Sequence, residues 1–129
     1  MPLVIVRTPC LPTEDSEKVR KAVLNLFPDS MIEEKDGVIT AKTGSLWRFK
    51  ELVRSHRIID ATRRIMLRGK QGNSTSFLIN KQVAFISKIS YVEEKLPLGS
   101  IEVSIEDDDL DKLIDAVAPV TVNGEEVLS

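Results

Sequence analysis

Residues 31–42 read MIEEKDGVITAK, and the centre of that stretch decides the fold class. Two short extended runs, Met31–Lys35 and Val38–Lys42, flank Asp36-Gly37. Asp-Gly is favoured in a two-residue hairpin because both turn positions need φ > 0. A hairpin pairs its strands antiparallel, which argues against an all-parallel α/β sheet. On the N-terminal side, Leu3–Val6 is a continuous apolar run, read as a strand covered on both faces. Thr13 offers an N-cap, and Glu14, Asp15 and Glu17 suit a first helical turn. Val19, Ala22, Val23 and Leu26 then form one helical stripe, stopped by Pro28.

On the C-terminal side, Gly44-Ser45 opens a second helix with Leu46, Phe49 and Val53 on its apolar stripe. His56-Arg57 reads as a joint, after which Ile58, Thr62, Ile65 and Met66 continue a helical period up to Gly69. Lys70–Ser74 is a polar loop. Thr75–Asn80, Phe85–Tyr91 and Ser100–Glu106 read as strands, the last with clean alternation. Asp107–Asp109 precede a last helix on Leu110, Leu113, Ile114 and Val117, ended by Pro119. The pattern is that of one α+β domain over 1–120, an antiparallel or mixed sheet with helices packed on one face. Residues 121–129 read as a loosely ordered tail.

With 129 residues, 42% of them hydrophobic, the chain can bury a core without staples. Its one cysteine, Cys10, excludes an internal disulfide framework and a Cys-rich zinc site within the chain. The apolar run at the N-terminus is four residues long and reads as a strand rather than a signal peptide. No apolar run approaches the roughly 20 residues that span a bilayer. The expectation is a cytoplasmic protein.

Charge is distributed unevenly. Residues 43–90 hold ten Lys/Arg against Glu51 and Asp60, a local +8, whereas residues 91–129 carry −9 and the whole chain −2. A basic stripe on an acidic body attracts a polyanion selectively. At helical spacing Arg57, Arg64 and Arg68 share a stripe; Arg63 lies beside it and Lys70 just beyond the helix end. Arginine forks match phosphate oxygens in geometry as well as charge. Asp60 can pair with Arg63 or Arg64 but neutralises only one or two cations. The remainder either meet an anion such as RNA, or meet the acidic C-terminal third within the chain or across a dimer, or are solvated. Asn80-Lys81-Gln82 offers a further phosphate contact at Lys81 and Gln82, or else caps loose backbone at a turn.

Four other features favour plainer readings. The Gly69–Thr75 loop lacks P-loop spacing and leads into a strand, so it reads as a flexible loop, able to touch a backbone phosphate, rather than a nucleotide-binding loop. Asp107–Asp109 with Asp111 suit a helix N-terminus better than Mg²⁺. His56 and Cys10 could form a nucleophile–base pair, but no elbow or oxyanion loop accompanies them. Trp47 reads as cover for a core edge, with stacking on a base as the alternative. No catalytic residue, cofactor, metal or small-molecule substrate is expected.

Pro12-Thr13-Glu14-Asp15, Asn25 and Phe27-Pro28, Ile58–Ala61 with Arg63, Phe77 with Asn80-Lys81-Gln82-Val83-Ala84, and Leu98-Gly99 together resemble an archaeal family of uncharacterised proteins. The resemblance spans nearly the whole chain; Val83 stands where Ala is expected. It implies an α+β fold similar to the large-subunit ribosomal protein that contacts 5S ribosomal RNA, and no catalytic residue or cofactor. Asn25 and Asn80-Lys81-Gln82 also read as residues that fix the backbone of this fold. The functional expectation is a non-enzymatic RNA-binding module acting through Arg57, Arg63, Arg64, Arg68, Lys70, Lys81 and Gln82. The alternative is a homodimeric scaffold whose basic helix faces an acidic surface of the next subunit.

Overall fold

The computed structural model describes residues 2–93, 99–122 and 125–126, the last pair by backbone alone. Along the chain run β1 (Leu3–Pro9), α1 (Ser16–Leu26), β2 (Met31–Lys35), β3 (Val38–Thr43), α2 (Trp47–Ser55), α3 (Ile59–Arg68) and β4 (Lys70–Gln71). These are followed by β5 (Ser74–Asn80), α4 (Lys81–Ala84), β6 (Tyr91–Val92), β7 (Ser100–Glu106), α5 (Leu110–Val117), β8 (Thr121–Val122) and β9 (Glu125–Glu126).

The Asp36-Gly37 turn forms as its residues demand, with φ of 51° and 76°. It sets the β2–β3 register, Lys35 opposite Val38 and Met31 opposite Lys42. The main sheet runs β2-β3-β1-β7-β5-β4, with β6 also on β5, and every pairing is antiparallel. Its strands alternate between buried and open faces: Val4, Val6, Ile39, Ala41, Phe77, Ile79, Ile101, Val103 and Ile105 point inward. Leu3 and Arg7 are exposed, so β1 is covered on one face only, not on both. The helices lie on that covered face, which leaves the other side of the sheet open.

The N-cap of α1 is Asp15, not Thr13, and its carboxylate accepts from the Glu17 amide at 3.0 Å, so that the helix begins at Ser16. The joint falls where expected: Arg57 takes a left-handed φ of 55° between α2 and α3. An aromatic ladder crosses the core, Phe27 stacked on Phe49 at 5.5 Å, Phe49 on Phe77 at 5.9 Å, and Tyr91 edge-on to Phe77 at 5.6 Å.

The expected strand Phe85–Tyr91 does not form. Asn80 instead accepts from the amides of Gln82 and Val83 with its side chain, and so caps the short helix α4. Asn25 on α1 donates to the carbonyls of Ala84 and Phe85, which closes that helix from the other end. Strand geometry resumes only at Tyr91–Val92. Thr121–Val122 and Glu125–Glu126 pair as a two-stranded ribbon. The rest of the tail expectation for 121–129 lies outside the described residues. Among the described residues no helix is long and apolar enough to cross a membrane.

Candidate nucleic-acid interface

The basic block separates into three environments. Arg57, Arg64 and Arg68 are exposed on or beside α3. Arg63 and Lys70 are half-buried and turn towards α5: Arg63 donates to Asp115 at 2.7 Å and to the Ala118 carbonyl at 3.1 Å, and Lys70 pairs with Asp111. Arg54 on α2 joins them, donating to the carbonyls of Ala116 and Val117 at 3.1 and 3.3 Å. Cations at a helix C-terminus satisfy carbonyls that lack an intrahelical partner and oppose the dipole's negative end. Asp60 accepts from the Thr121 hydroxyl, while the ion pair of Arg63 is with Asp115.

Lys81 is corrected outright. Its side chain is 1% exposed, and Nζ donates to the Pro9 carbonyl at 2.7 Å and to the Glu14 carboxylate at 3.0 and 3.3 Å. A buried ammonium held this way cannot meet a phosphate. Burial on its own would raise the Glu14 carboxyl, but the Leu11 amide and the Lys81 ammonium outweigh it and hold Glu14 below the ordinary range. Gly99 packs against this cluster at φ +89°, where a Cβ would come 2.3 Å from the Pro9 ring. Three of the strings that carry the family resemblance, Pro-Thr-Glu-Asp, Asn-Lys-Gln and the one ending in Gly99, therefore meet in space as a backbone lock. Gln82 is exposed at the start of α4 and is not among the residues that line the groove between α3 and the segment leading into β6.

Around the exposed arginines the surface is shaped. A groove of about 560 Å³ runs between α3 and the segment leading into β6, lined by Ile58, Ala61, Arg64, Ile65, Arg68, Ile89, Ser90, Tyr91 and Glu93. Arg64 also borders a hollow of about 530 Å³ on the opposite side of α3, with Leu67 and Val120. α3 is thus a ridge with Arg64 on its crest. Arg68 donates to Glu93 at 2.9 Å, both side chains being exposed. Such a pair contributes at most about 1 kcal/mol. Tyr91 sits below, its hydroxyl 2.6 Å from that of Thr62. Burial pushes the Tyr91 phenol far above its ordinary value, so it stays protonated.

The groove wall from Ile89 to Glu93 was not legible in the sequence as part of the site. It reaches α3 through tertiary packing, and no local motif signals it. Elsewhere, burial followed by the nearby acids Glu34 and Glu14 pushes the Cys10 thiol up, the opposite of what an activated nucleophile requires. Asp109 caps α5 through the Lys112 amide and Asp107 accepts from the Asp109 amide, as expected of acids at a helix start.

A family described as RNA binding matches residues 3–106. The chain is 43% identical to a UPF0201 protein of Methanothermobacter thermautotrophicus, over 92% of each. It is 37% identical to a UPF0200/UPF0201 protein of Archaeoglobus fulgidus, of which it spans 39%. The crystal structure of a UPF0201 protein from Methanococcus jannaschii superposes with a TM-score of 0.89 at 36% identity, over 98% of this chain and 99% of that one. A DUF54 protein from Archaeoglobus fulgidus shares the fold at a TM-score of 0.66 and 21% identity, over 92% of this chain and 97% of that one. These likenesses are to members of uncharacterised families, and the expected likeness to a ribosomal protein is not among them. The chain belongs to the UPF0201 family of archaeal proteins, whose shared domain carries the description RNA binding.

Proposed function

We propose that this chain is a non-enzymatic RNA-binding module that meets its ligand with the exposed side of α3. The observation that carries this reading is that Arg64 and Arg68 are exposed on α3 and line one groove, with Arg57 exposed at the joint that precedes the helix. The family description points the same way. Guanidinium forks on a helix ridge suit successive phosphates of a strand. Arg63 and Lys70 act from behind, tying α3 and β4 to α5. In an RNA-binding titration near physiological salt, the Arg64→Ala/Arg68→Ala double variant is expected to lose about tenfold or more in affinity. Unchanged affinity in that variant removes the reading.

The alternative, a homodimer pairing the basic helix with an acidic surface, is disfavoured by Arg63 and Lys70. Their acidic partners on α5 belong to the same chain. Light scattering at low and high salt tests it: a dimer that dissociates in salt restores it.

A further inference from the structure

Resting on that reading, we infer that the groove beside α3 receives an unpaired base, so that the chain prefers single-stranded RNA to a duplex. The groove, about 560 Å³, falls within the size range of sites that enclose small ligands. Its floor and rim differ in chemistry. Ile58, Ala61, Ile65 and Ile89 supply apolar surface, whereas Arg64, Arg68, Ser90 and Glu93 supply polar groups at the edges. Phosphates alone would use the arginines and leave the apolar floor wet. A duplex can offer little more, because its bases are stacked inside and A-form RNA presents phosphates and 2′-hydroxyls outward.

An unpaired base has a flat apolar face for the isoleucines, a planar system on which a guanidinium stacks, and a phosphate on either side for Arg64 and Arg68. Glu93 supports the same assignment. A carboxylate on the rim of a phosphate site repels the ligand, yet a carboxylate accepts well from the exocyclic amine of a base. Its bond to Arg68 at 2.9 Å holds that acceptor at the groove edge. The acid is therefore accounted for by base recognition and not by backbone binding.

The test uses the full chain, a fluorescently labelled single-stranded RNA and the blunt duplex made from it, titrated at the same ionic strength. The single strand is expected to bind roughly tenfold more tightly, the scale of one stacked base. Ala61→Phe fills the groove from α3 and Ser90→Tyr fills it from the opposite wall; two variants guard against one failing to fold, which circular dichroism reports. Either filling should weaken the single strand to the level of the duplex while leaving the salt dependence unchanged, since Arg64 and Arg68 remain. Equal binding of both RNAs by the unmodified protein, or filled variants that keep the preference, overturns the inference and leaves the RNA-binding reading standing. Binding of neither RNA overturns both. Tighter capture of polyglutamate than of either RNA assigns the groove to an acidic protein and also overturns both.

Discussion

Lys81 carries its charge into the interior, and that single placement separates structural from functional lysine. Its partner Glu14 has a side chain only 15% exposed, so removing the ammonium strands a carboxylate in a poorly hydrated site. Lys81→Met is expected to cost about 3 kcal/mol or more, read from chemical denaturation. The same pair sets a pH dependence. Glu14 is depressed in the folded state, so its contribution is fully present above the unfolded value of about 4.3 and is lost as pH falls through the folded value. Between about pH 6 and pH 3 the unmodified protein should therefore lose more stability than Glu14→Gln, because the amide has no proton to take up. Equal losses would show that Glu14 is not held by these contacts.

At the level of elements, α3 divides its labour by face. One face binds α5 through Arg63, and the outer one, with Arg64 and Arg68 exposed, is the proposed ligand face. Arg63→Ala is expected to cost about 1–2 kcal/mol of stability, with RNA affinity nearly unchanged. The neighbouring helix α4 depends on its cap: Asn80→Ala should cost about 1 kcal/mol and loosen the turn that leads to the groove wall. Thermal melts of both variants check these values. The helix itself was legible, because Ile58, Thr62, Ile65 and Met66 recur at helical spacing and Gly69 ends the run. So was the joint at His56-Arg57. The strand expected at Phe85–Tyr91 was misread for a physical reason. Phe85, Ile89 and Tyr91 alternate loosely, but the Asn80 cap and the Asn25 bridge from α1 impose a helical turn that periodicity does not register. Which arginine faces α5 was illegible too, since it depends on how two distant helices pack.

For the whole molecule, the charge asymmetry along the chain becomes a distinction in space. Part of the positive block is satisfied by the acidic C-terminal third through Arg63–Asp115 and Lys70–Asp111, which helps join the two halves of the fold. Lys81 is buried against Glu14 and Arg54 meets carbonyls at the end of α5, whereas Arg57, Arg64 and Arg68 stay outside. Three of the family strings converge at the Glu14–Lys81–Gly99 lock and serve architecture, whereas Ile58 and Ala61 of a fourth line the groove. The proposed binding surface is built from charges around them. The most direct test is the salt dependence of RNA binding, compared between Arg64→Ala/Arg68→Ala and the inward-facing pair Arg63→Ala/Lys70→Ala. Counterion release predicts that the outer pair lowers the slope of log affinity against log salt by about 1.4 on a single strand, while the inner pair leaves it nearly unchanged. A flat slope in the unmodified protein, or the same loss of slope in both double variants, would contradict an RNA interface on α3.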